Sequence, residues 1–185
     1  MLLGAASLAL AQPALIATIP VGGDPSVIAL NPNTNRLYVG QAPVARVDVV
    51  DTVTNTILSP IVTQGPNNNN SIDVDSLNDR VYVAEHFLGK VEVFDGATSG
   101  KISEFNIGQI IFGVAVNSAI GKVCVVRSNL GDTVVLDGIC NPSATCPVIP
   151  MGSDLSNTSS MNMAIDPTTT RCMWPRREQR RLVYR

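Results

Sequence analysis

The sequence predicts an all-β fold of repeated four-stranded antiparallel sheets, arranged as the blades of an incomplete β-propeller. Three observations predict it. The first is a repeat. Residues 36–58 read RLYVGQAPVARVDVVDTVTNTIL, residues 80–102 read RVYVAEHFLGKVEVFDGATSGKI, and residues 122–137 read KVCVVRSNLGDTVVLD. Arg36 and Arg80, Tyr38 and Tyr82, and Asp51 and Asp95 are each 44 residues apart, and Lys122, Cys124 and Asp137 follow 42 residues later. A period of this size marks a solenoid or a propeller. The second is the content of each unit: short runs rich in Val, Ile and Thr, punctuated by turn residues, with no helical periodicity. The third is that Leu37-Tyr38-Val39 and Val81-Tyr82-Val83 are apolar on both sides. Both faces of such a sheet must be covered, as in radially stacked blades.

In the first unit, strands are expected over 26–30, 37–40, 46–50 and 56–58. Asn31-Pro32-Asn33-Thr34-Asn35, Gln41-Ala42-Pro43 and Asp51-Thr52-Val53-Thr54-Asn55 separate them. These residues preset φ or hydrogen-bond their own backbone, so they turn the chain. Residues 16–21 read as the last strand of a preceding blade. Three blades follow, and Met163 to Arg171 repeats the opening of another.

Several positions recur in register: Ile19-Pro20-Val21-Gly22, Asn31-Pro32, Arg36 to Val39, Val47 to Asp51 and Thr54, then Arg80 to Val83, Val91 to Asp95 and Thr98. They return more weakly in Lys122 to Val125 and Val134 to Asp137. This pattern resembles the YVTN-type β-propeller repeat over residues 16–173. The Asn of that name is replaced by Gln41, Glu85 and Arg127. The resemblance implies a ring usually closed by seven blades, and a bacterial or archaeal protein of the surface or periplasm. Seven blades at this period need roughly 300 residues, so the chain's 185 residues are expected to supply about half a ring.

The ends carry two further expectations. Residues 1–11 form a short apolar stretch closing on Ala9-Leu10-Ala11, a small-x-small pattern that reads as a signal peptide, although without a positive n-region. It is too short to span a bilayer of about 30 Å. The blade pattern stops after Cys172-Met173, and residues 174–185 are Arg-rich. The break falls inside a strand, so a disrupted blade is favoured over a basic tail for acidic partners.

Export permits disulfides. Cys140 and Cys146 bracket Asn141-Pro142-Ser143-Ala144-Thr145 and are expected to staple that hairpin. Two thiols without a nearby His or further Cys make no zinc site, and Cys124 and Cys172 read as buried structural residues. A net charge of −2 gives nucleic acid no basic face.

Candidate site residues are few. Asp51, Asp95 and Asp137 recur at one position, and capping of a turn explains them better than metal binding. Gln41, Glu85, His86 and Arg127 fall after the second strand of their units. There they would form a polar rim at the channel mouth, or solvated loops with no role. On that reading, removing Glu85 and His86 leaves the fold intact and weakens binding. Asp73 stands on the innermost strand where the other units carry Ala29, Ala115 and Ala164. It either touches a ligand in the channel or faces channel water. No H-E-x-x-H, nucleophile elbow or phosphate-cradling glycine loop occurs, so no catalytic residue, metal or cofactor is assigned.

The leading expectation is an exported, non-enzymatic scaffold that binds a protein or cell-envelope ligand, with self-association through open propeller ends as a further expectation. The alternative is a fragment of a propeller enzyme, lactonase-like or quinoprotein dehydrogenase-like, whose site needs further blades. Fold alone does not choose between them.

Overall fold

The computed structural model describes residues 14–65, 69–108, 110–127, 130, 132–137, 148–150, 164–166 and 171–173. Every regular element among them is a β-strand. The first sheet holds β1 (Asp24–Asn31), β2 (Arg36–Ala42), β3 (Arg46–Asp51), β4 (Thr56–Ile57) and β5 (Ile61–Val62). The second runs in the order β6 (Asn69–Asp75), β7 (Arg80–Glu85), β8 (Lys90–Asp95) and β9 (Lys101–Asn106). The third follows the same order with β10 (Ile111–Asn117), β11 (Lys122–Arg127), β12 (Asp132–Asp137) and β13 (Val148–Pro150). A fourth begins with β14 (Ala164–Asp166) and β15 (Arg171–Met173). All pairings are antiparallel.

The expected meander of four strands per unit is therefore present, with two differences. The fourth strand of the first blade comes in two pieces, β4 and β5, both paired with β3. Ser59-Pro60 separates them, and proline cannot donate to the ladder. Residues 16–21, expected as a strand, form none, and Leu15 and Ile16 are exposed. A fourth strand needs the third strand of its own blade beside it, and residues 16–21 have no such partner among the described residues.

The turns follow the sequence closely. Asp51 Oδ1 accepts the N–H groups of Val53 at 2.8 Å and Thr54 at 3.0 Å. Asp95 Oδ1 accepts the N–H and hydroxyl of Thr98, both at 2.8 Å. These donors hold both carboxyls below the usual range. Asp137 instead takes Lys122 Nζ at 2.6 Å. The turn between first and second strands repeats too. Asn31, Asp75 and Asn117 each accept a backbone N–H two residues on. Asn35, Asp79 and Gly121 then close it with positive φ of 55°, 49° and 63°. Asn, Asp and Gly tolerate that left-handed conformation.

Two cores lie between the sheets. Ala29, Tyr38, Val47, Val49 and Ile61 of the first blade pack on Ile72, Val74, Val81, Val83 and Phe94 of the second. The opposite face of the second blade, with Tyr82, Ala84, Val91, Val93 and Phe105, packs on Val114, Val123, Val125, Val134 and Leu136. The second blade thus buries both faces, which explains its double-sided apolar strands. The first strands β1, β6, β10 and β14 stand side by side as the inner strands. Among the described residues the blades do not close into a ring.

Candidate functional site

The inner strands set the geometry of the candidate site. Val114 and Val116 turn their backbone groups away from β11, toward β6. Ser71 answers the first: its hydroxyl accepts Val114 N–H at 3.0 Å and donates to Val114 C=O at 3.4 Å. Asp73 answers the second: Oδ2 accepts Val116 N–H at 2.7 Å. Oδ1 accepts the N–H of Val74 at 2.8 Å. Side chains two apart on one strand thus stitch backbone groups two apart on the next. Burial pushes the Asp73 carboxyl up, and these two N–H bonds oppose the shift.

Among the described residues, the preceding seam lacks the counterparts of these two stitches. Ile72 stands where Val114 does, since it pairs with Val83 as Val114 pairs with Val125. Its N–H and C=O accordingly face β1. The β1 residues in the places of Ser71 and Asp73 are Val27 and Ala29, which have no polar atom to offer. Here a cavity of about 420 Å³ opens, lined by Ser26, Val27, Ile28, Ala29, Ser71, Ile72, Asp73 and Val114. Asp73 is thus neither a bare channel carboxylate nor wholly consumed. It is half-buried, bonded across a seam, and part of the cavity wall.

The expected rim of Gln41, Glu85, His86 and Arg127 is corrected in placement. These residues do not project from solvated loops. Gln41, Glu85 and Arg127 lie within their second strands, and Gln41, Glu85 and His86 are buried. Gln41 Nε2 donates to Asp48 Oδ2 at 2.8 Å, and that same carboxylate takes Gly22 N–H at 3.2 Å and the Arg46 guanidinium. The guanidinium of Arg127 binds both oxygens of Asp132, at 2.7 and 2.5 Å. His86 Nδ1 bonds the Ile111 carbonyl at 2.8 Å, and its ring meets the edges of Phe87 and Phe112 at centroid distances of 4.4 and 4.3 Å. Each residue serves its own blade or seam. The structure brings them to no common point with Asp73.

Glu85 has the most perturbed carboxyl. It is 1% exposed and bonded to Thr63 and Glu92, yet its Oε1 has no partner. A hydrogen bond between two carboxyls needs a proton, and burial pushes Glu85 up to about 7, so Glu85 holds it. Glu92 meanwhile accepts Gln64 N–H at 3.0 Å and Lys101 Nζ at 2.5 Å. The backbone closes tightly over this pair: a Cβ at Gly65 would collide with Glu85 Oε2 and come within 3.1 Å of Leu88.

Sequence reasoning missed Ser71, Glu92 and Asp48. Asp48 and Glu92 are 44 residues apart, so their recurrence was legible. For Ser71 no comparable signal exists, because the other blades do not share it. Cys140 and Cys146 lie outside the described residues. No three His, Cys, Asp or Glu side chains converge among the described residues, and no helix there is long and apolar enough to cross a membrane.

No family model and no curated protein matches the chain. Solved structures do. The chain is similar to the β-propeller domain of Cps50 (Swd1) from Myceliophteria thermophila, with a TM-score of 0.62 and 15% identity over 75% of this chain and 43% of that one. It is also similar to hydrazine synthase of Kuenenia stuttgartiensis, with a TM-score of 0.57 and 17% identity over 68% of this chain and 36% of that one. The fold is that of a partial β-propeller. At these identities the likeness shows fold alone, and the chain spans less than half the length of the structures it matches.

Proposed function

We propose that this chain is a YVTN-type, exported, non-enzymatic binding scaffold whose ligand seats at the inner strands. The observation that carries the reading is the division of polar groups. Gln41 Nε2, His86 Nδ1 and the Arg127 guanidinium are taken up by contacts within and between blades, and the unpartnered Gln41 Oε1 is buried away from solvent. At the β1–β6 seam, by contrast, an open cavity is lined by inner-strand residues and by the Asp73 carboxylate. Rigid sheets surround it, as a preformed site requires. The recurring tandem pattern and the apolar start of the chain support export to the cell surface or periplasm.

The test has two arms. Intact native cells are labelled with a membrane-impermeant biotin reagent, and the labelled chain is then chemically cross-linked in place. The reading expects a labelled chain and a discrete cross-linked adduct with a protein or envelope component. The adduct is expected to disappear when Ile28→Trp, at the exposed cavity edge, fills the cavity. A chain protected from the label, or an adduct indifferent to Ile28→Trp, would sink it.

A further inference from the structure

We propose that the cavity between β1 and β6 takes a primary ammonium group on an apolar stem, with Asp73 as its counter-charge. This rests on the reading that the inner strands form the binding site, and it names the chemistry of the ligand.

Asp73 is the one charged residue among the eight described residues that line the cavity. Its two bonds to Val74 and Val116 use one site on each oxygen. A carboxylate offers about four acceptor sites, so capacity remains. The carbonyl of Ile72, turned toward β1, supplies a further acceptor. An ammonium brings three donors and no acceptor, which matches this set. The rest of the wall is Val27, Ile28, Ala29, Ile72 and Val114, a surface for a hydrocarbon stem. A volume of about 420 Å³ fits a small ligand and not a bare ion. An anion would meet Asp73 directly, and a neutral alcohol would leave its charge uncompensated. Burial already raises the Asp73 carboxyl, and a cation beside it relieves that cost. Of the β1–β6 and β6–β10 seams, this is the open one. At the β6–β10 seam, Ser71 and Asp73 occupy the same backbone groups.

The experiment is calorimetric titration of the purified full chain with hexylammonium chloride, n-hexanol and sodium hexanoate. Saturable binding of hexylammonium is expected, at least tenfold tighter than either other probe. Asp73→Asn is expected to weaken it at least tenfold. Since that change also touches the bond to Val116, a second variant is needed. Ile28 is 65% exposed at the cavity edge, so Ile28→Lys keeps the fold and places a competing ammonium there; it too is expected to cost at least tenfold. The peptide acetyl-Gly-Lys-Gly-amide distinguishes sources. Affinity equal to hexylammonium means that the ammonium and stem alone are read, and tighter binding means a lysine of a partner chain. Both outcomes support the proposal. Binding of neither cation, hexanol binding as tightly as hexylammonium, or unchanged affinity in Ile28→Lys would overturn it. Failure of the cross-linking experiment leaves this titration intact, because the probe is a pure compound.

Discussion

The carboxylate of Asp73 in β6 accepts the backbone N–H of Val116 in β10 at 2.7 Å, across the seam between two blades and 43 residues of chain. Inner strands of neighbouring blades do not share a ladder, so their facing backbone groups need partners from elsewhere. At this seam side chains supply them. At the β1–β6 seam Val27 and Ala29 stand in the places of Ser71 and Asp73, and a cavity is lined there.

Asp73→Ala leaves the Val116 N–H without its acceptor. An orphaned half-buried donor costs about 1–3 kcal/mol. Ser71→Ala removes both bonds to Val114 and is expected to cost a similar amount. The two act on one seam, so the double variant should fall short of the sum. Urea midpoints of the four proteins check this. Wild-type stability in Asp73→Ala would show that the bond contributes nothing.

Glu85 predicts a pH dependence. Its carboxyl lies at about 7 in the folded chain against an ordinary 4.5. The folded state therefore holds the proton more tightly than the unfolded state. This contribution to stability is fully present below pH 4.5 and is lost as pH rises through 7. The loss is on the order of 3 kcal/mol. Asp73, shifted upward as well, acts in the same direction. Glu85→Gln should flatten the profile between pH 5 and 8. An equally steep profile in that variant would assign the proton elsewhere. Removing Glu85 and His86 together is now expected to destabilise the fold, since both are core residues.

Gly96 meets the first two blades at one point. Its carbonyl accepts from the Arg36 guanidinium and, at 3.4 Å, from the Tyr38 hydroxyl, while its N–H donates to the Asp79 carbonyl at 2.8 Å. A Cβ would collide with the Asp79 carboxylate and sit 2.9 Å from its carbonyl oxygen. Gly96→Ala should cost about 1–3 kcal/mol through this crowding. Thermal unfolding measures it, and an unchanged midpoint would mean that the seam yields freely.

Arg127 and Asp132 face each other across β11 and β12, with side chains 16% and 12% exposed. Removing one partner strands the other's charge. Arg127→Ala is expected to cost about 3 kcal/mol, and Arg127→Ala with Asp132→Ala less than Arg127→Ala alone. Chemical denaturation of the three variants reads the coupling. A double variant less stable than both single ones would argue against a linked pair.

The blade order and the turn caps at Asp51 and Asp95 were legible in the repeat. They depend on residues within a few positions of each other. The rim was not. Gln41 and Glu85 look like loop residues because they follow Tyr-Val-x runs and precede turns. Each is covered by chain from elsewhere: Gly22-Gly23 approach Gln41 and Asp48, and Gln64-Gly65 close over Glu85 and Glu92. The broken fourth strand of the first blade had a visible signal in Pro60, whereas Ser71 carried none.

The sequence by itself determined the architecture, because a repeated pattern of apolar runs and turn residues specifies sheets whose two faces must both be covered. Only the tertiary structure decided which polar groups are spent and which stay open. That choice is made between blades, by residues some 40 positions apart whose burial and hydrogen bonds exist only once the sheets have stacked.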